Sequence, residues 1–149
     1  MKCALLLAFV LALGAGGAGA TLPSQPSSTG QGANTWTRVS PEGVYPAEYL
    51  DVRHARKTGK TASIWSMQDF GPGARLVKFK PFLSARYWVE YDCTRPVHRT
   101  LFYATYSGHM GQGTMTGGDP NPEGWIPNPP DAPFAERAMT AACTAAPAR

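Results

Sequence analysis

The chain has 149 residues, 43% of them hydrophobic and 16% charged, and carries a formal net charge of +4. That length leaves room for one domain of ordinary size. The small positive excess, with acids interleaved among the cations, does not fit a dedicated nucleic-acid binder and suits steering toward acidic partners.

The N-terminus reads as an address. Lys2, the apolar run 4–13 and small residues ending Ala18-Gly19-Ala20 form the three regions of a secretory signal, with cleavage after Ala20. The run is about half of the roughly 20 residues a membrane-spanning helix needs, and no later stretch is apolar enough to span. Cys3 precedes the apolar core and leaves with the signal, so no cysteine is placed for a lipid anchor. The mature protein is therefore expected to be soluble and exported, periplasmic or secreted. Residues 21–34 are Ser, Pro, Gly, Gln and Thr with almost nothing to bury, and read as a disordered leader. The folded domain is expected over 35–145, with a flexible tail at 146–149.

Period-two patterning dominates the domain. Strands are expected over 35–39, 44–50, 61–70, 83–93, 98–107 and 112–117, about six in all. The clearest is 83–93, where Leu83, Ala85, Tyr87, Val89, Tyr91 and Cys93 alternate with Ser84, Arg86, Trp88, Glu90 and Asp92, putting Cys93 on the core side. Gly59 within Lys57-Thr58-Gly59-Lys60 is placed for a tight hairpin, and Gly71-Pro72-Gly73 and Thr94-Arg95-Pro96 end neighbouring strands, which makes the pairing antiparallel. After a proline-rich connection over 120–130, Phe134, Ala135, Ala138, Met139, Ala142 and Cys143 fall on one helical stripe. Asp131 is the expected N-cap, Pro133 sits in the first turn, and Glu136 favours the helix dipole.

Loss of the signal leaves two cysteines in an oxidising compartment, so a bridge between Cys93 and Cys143 is expected, with two free buried thiols as the alternative. Closing that loop would remove roughly 4 kcal/mol of unfolded-state entropy. The fold class is α+β: an antiparallel sheet with a C-terminal helix packed on one face and tied by the disulfide.

No nucleophile is paired with a base in the sequence, and no metal-ligand spacing occurs. His54, His98 and His109 lie in or beside separate turns and strand ends, and read as solvated or strand-edge residues. Glu90 and Asp92 share a strand face, and read as ion-pair partners of Arg86, Arg95 and Arg99 rather than as an acid and base pair. His109 and Met110, with Met115 or Tyr106 nearby, could ligate haem iron or a soft metal. The competing reading has Gly108, Gly111 and Gly113 serving a bulged hairpin, with Met110 packed on the sheet. For binding, Lys78, Lys80 and Arg86 with Phe79, Phe82 and Trp88 interleaved form one candidate patch, and Arg56, Lys57 and Lys60 a second.

Taken together, Trp36, Tyr49-Leu50-Asp51, Arg56-Lys57-Thr58-Gly59-Lys60, Trp65 and Asp69-Phe70 resemble the surface-adhesin protein E family. The most specific part of the likeness is Glu90-Tyr91-Asp92-Cys93, then Tyr106-Ser107-Gly108-His109-Met110-Gly111-Gln112-Gly113, Trp125-Ile126-Pro127-Asn128-Pro129 and Cys143. The resemblance implies a six-stranded antiparallel sheet with a C-terminal helix fastened to its concave side by a disulfide. It also implies binding of host matrix or plasma proteins and, in the founding member, haem. The chain departs from the pattern in lacking a lipid-attachment cysteine. The leading expectation is a non-enzymatic exported module that binds a protein partner without a cofactor. The alternative is a periplasmic binder of haem or another small ligand in the groove between helix and sheet, through His109, Met110 and Tyr106.

Overall fold

Nine-residue stretches of alternating side chains form the two central strands. The computed structural model describes residues 35–73, 75–77, 80–120 and 123–146; the expected signal peptide and leader lie outside the described residues, as do Lys78, Phe79 and residues 147–149. In chain order the strands are β1 (Thr37–Arg38), β2 (Ala47–Leu50), β3 (Arg56–Thr58), β4 (Thr61–Asp69), β5 (Arg75–Val77), β6 (Lys80–Phe82), β7 (Ser84–Asp92), β8 (Val97–Tyr106), β9 (Met115–Asp119) and β10 (Ile126–Pro127), followed by helix α1 (Pro133–Cys143). The main sheet is antiparallel and eight-stranded, in the order β1-β2-β4-β7-β8-β10, with β3 also on β4 and β9 also on β8; β5 and β6 form a separate hairpin.

Both faces of the sheet are covered, which the period-two reading did not anticipate. On the helix face, Leu50, Ala62, Ile64, Val89 and Tyr91 are buried with Ala138 and Ala142 of α1. Ile64 and Val89 are register partners, and burying such side chains contributes about 1.5–3 kcal/mol each. On the opposite face, Trp36, Trp65 and Met67 form a second cluster with Tyr49, Trp88, Phe102 and Met110. Trp65 stacks on Trp88 at 6.1 Å and meets Phe102 edge-on at 5.9 Å.

The Cys93–Cys143 disulfide is present, with Cα atoms 5.7 Å apart. It ties the end of α1 to the residue after β7. Lys57 Nζ donates to the Cys143 carbonyl at 2.9 Å, supplying a cation to a helix end whose own last turn has none. Between sheet and helix, Asn128 binds the His98 ring at 2.7 Å and donates to the Met139 sulfur at 3.3 Å, which anchors the proline-rich connection.

Several expectations need correction. The sheet has eight strands rather than about six, because β3 and β10 are only three and two residues long, too short to show a period. The N-cap of α1 is Ala132, not Asp131, and no side chain caps it. The expected strand at 44–50 starts only at Ala47. The one expected at 112–117 is displaced to Met115–Asp119, because a 3-10 turn at His109–Gly111 and a left-handed Gly113 precede it.

Candidate functional site

On the face opposite α1, three polar side chains are buried: Asp69 at 8% exposure, Ser84 at 0% and Arg86 at 3%, the last two from the face of β7 that alternation leaves outside the core. Asp69 and Ser84 are register partners on β4 and β7, and Arg86 lies two residues further along β7. All three grip the turn His109–Gly111. Ser84 Oγ donates to the Gly108 carbonyl at 2.6 Å and accepts from Gly111 N–H at 2.8 Å. Asp69 accepts from Met110 N–H at 3.1 Å through one oxygen, and through the other pairs with His109 Nδ1 at 2.5 Å. Arg86 Nη2 donates to the Met110 carbonyl at 3.1 Å, with its guanidinium over the rings of Trp36 and Tyr106. Burial pushes the Arg86 pKa down, and the fields of Tyr106 and Asp51 oppose that shift.

The turn is conformationally demanding. Met110 has φ 56°, left-handed for a residue with a side chain, and Gly111 follows at φ 68°. A Cβ on Gly111 would run into the Arg86 guanidinium, so glycine is required there on both counts.

Beside the turn lies an open cleft of about 360 Å³ whose walls include Arg38, Tyr45, Tyr49, Asp69 and His109, with Gly71 and Pro72 at one side. The His109 side chain is 51% exposed, and with Nδ1 on Asp69 its Nε2 is left for another contact. Arg38 Nε and Nη2 donate to the carbonyls of Ser40 and Pro41 at 3.2 and 2.9 Å, which holds the guanidinium in place.

The residues named as haem candidates are not brought together. His109 lines the cleft, Met110 packs into the tryptophan cluster, Tyr106 is 7% exposed beneath Arg86, and Met115 is exposed on β9. The turn they flank lies on the face opposite α1, so the groove between helix and sheet is not where these residues could act, a correction that follows from Trp65 and Ile64 pointing to opposite sides of β4. Among the described residues there is no group of three or more His, Cys, Asp or Glu placed to hold a metal ion.

The first basic and aromatic patch also dissolves. Arg86 is buried under the turn, Phe82 is buried edge-on against Phe70, Trp88 is half-buried on Trp65, and Lys80 is exposed on β6. Lys78 and Phe79 lie outside the described residues. Arg86 was misplaced because a sheet with two buried faces makes a polar-looking position an interior one.

The second patch is more coherent. Arg56 and Lys60 are exposed at the β3–β4 hairpin, while Lys57 is half-buried and spent on the helix end. Lys60 O accepts from Cys93 N–H at 2.8 Å, which sets this hairpin beside the turn carrying Arg95, itself 64% exposed in its side chain. Asp92, the acid of that turn, is buried beneath Arg95 and accepts from the Thr94 hydroxyl at 2.6 Å and its N–H at 2.9 Å. These bonds, with that from Arg95, hold its carboxyl down to about 2. Glu90 pairs with Arg99 at 2.6 Å, and Arg99 lies over the Trp125 ring at 4.8 Å. Two of the three ion-pair partners expected for Glu90 and Asp92 are thus in place, and Arg86 is not among them. Each histidine has a side-chain partner: His54 binds Asp51, His98 binds Asn128 and His109 binds Asp69.

A family model, surface-adhesin protein E, matches residues 36–144. Among solved structures, protein E from non-typeable Haemophilus influenzae is similar at 13% identity, covering 71% of this chain and 73% of that one with a TM-score of 0.53. A second crystal form of Haemophilus influenzae protein E aligns over 79% of this chain and 93% of that one, at 13% identity and a TM-score of 0.56. No curated protein sequence matches the chain. The solved structures share the fold, an antiparallel sheet with one C-terminal helix.

Proposed function

The chain belongs to the surface-adhesin protein E family, and from that premise we propose that it is an exported binding module that engages an acidic macromolecular partner, a host matrix or plasma protein, through the basic end of its sheet. No helix among the described residues is long and apolar enough to cross a membrane. Export rests on the signal-like residues 1–20, and family membership is consistent with it. The module binds rather than transforms its partner.

The observation that carries this reading is the meeting of two turns at one end of the sheet. Arg56, Lys60 and Arg95 are exposed there, while the local acid, Asp92, is buried and engaged. Exposed cations of this kind act mainly on encounter rate and selectivity, and their effect falls as salt rises. The test is binding of the mature chain to immobilised matrix and plasma proteins across a salt series, with Arg56→Glu and Lys60→Glu combined. Loss of a salt-sensitive interaction in the variant supports the assignment, and unchanged binding removes this end of the sheet from the interface.

A further inference from the structure

The cleft beside His109–Gly111 is separate from the basic end of the sheet, and its construction is costly. Three buried polar side chains, Asp69, Ser84 and Arg86, together with a left-handed Met110, are committed to fixing one short turn. Strain and buried polarity concentrated at one place persist only where the surroundings over-determine them, and such places hold functional geometry. What the turn delivers to the cleft is the His109 imidazole, oriented through Nδ1 with Nε2 left over.

The other walls specify the chemistry of a ligand. Tyr45 is 56% exposed, and its ring lies so close to Gly71 that a Cβ there would collide with it, so main chain backs the ring. Tyr49 also lines the cleft. Arg38 is held through Nε and Nη2 by loop carbonyls, which leaves Nη1 for an incoming acceptor. Asp69 has both oxygens engaged, one by His109 and one by the Met110 amide, and Arg38 is the cation among the walls with a donor left for a ligand. The volume of about 360 Å³ is at the small end for such sites, room for a single ring.

We propose that this cleft binds a carboxylated six-membered ring, the ring against Tyr45 beside the His109 imidazole and the carboxylate on Arg38 Nη1. Two sources carry that chemistry, an acidic sugar and an aromatic acid. Glucuronate and benzoate are the probes, with glucose and benzyl alcohol as their uncharged counterparts, read by the ring NMR resonances of His109 in the mature chain. The result expected is a saturable shift with one or both acids, roughly tenfold or more weaker with the uncharged ring, as loss of a charged hydrogen bond implies; the stronger acid identifies the source. Absence of saturation with either acid, or an equal response to the uncharged rings, overturns the proposal. Arg38→Gln and Tyr45→Ala should each weaken the acid by a similar factor, and an unchanged affinity in both folded variants overturns it as well. None of these readings depends on the basic end of the sheet.

Discussion

Asp69 and His109, 40 positions apart in the chain, meet at 2.5 Å between Oδ1 and Nδ1. The carboxylate does two jobs, since its other oxygen takes the amide of Met110. The two side chains should therefore be unequal under mutation. Asp69→Ala leaves a half-buried amide without its acceptor and should cost about 1–3 kcal/mol, whereas His109→Ala removes a half-exposed partner and should cost less than about 1 kcal/mol. Denaturant melts of the two variants test this, and equal losses would show that the Met110 amide does not need Asp69.

Gly111→Ala should be damaging although it adds one carbon. The left-handed backbone and the guanidinium of Arg86 both oppose a side chain there, and the expected cost is about 2 kcal/mol or more. Faster amide hydrogen exchange confined to residues 108–113 would accompany it. A variant as stable as the parent would mean that the turn and Arg86 can separate freely.

Replacing Cys143 by alanine removes the bridge that closes a loop of sequence separation 50. Stability should fall by about 2–4 kcal/mol, and reductant should lower the melting temperature of the parent but not of the variant. An unchanged melting temperature in both comparisons would contradict a structural role for the bridge.

The carboxyl of Asp92 is held down to about 2, below the ordinary value of 3.8. Between these values the unfolded chain binds the proton that the folded chain refuses, so this group's stabilisation is fully present above about pH 4 and is lost as pH falls toward 2. Asp92→Asn should melt lower than the parent at neutral pH, with the two curves converging near pH 2. A gap that stays constant across that window would assign the effect of the substitution to something other than titration.

Long, regular elements were legible in the sequence and local chemistry at their edges was not. Ser84–Asp92 showed its period over nine residues, and Cys93 followed on the core side as expected. Ile126–Pro127 and Arg56–Thr58 are too short to carry a period, and their pairing is set by neighbours. Alternation separates two faces without saying whether the second is wet, which is why Arg86 read as a surface cation and proved an interior one. The glycines around Met110 signalled a turn packed on the sheet, and that much holds. That Asp69 would be its acceptor could not be read, because nothing local links positions so far apart. Arg38 and Tyr45 went unremarked for the same reason: they share a cleft only once β1 and β2 are laid beside β4.

The bridge between Cys93 and Cys143 also makes residues 93–143 a covalent ring. Trp125, Ile126, Pro127, Pro129 and Pro130 stand exposed within it. A protease cutting once in that stretch opens the ring and releases nothing: the strand that carries His109's supports and the helix stay joined through sulfur. A nicked molecule would run as one species without reductant and as two with it. The damage that separates the chain is therefore the second cut and not the first.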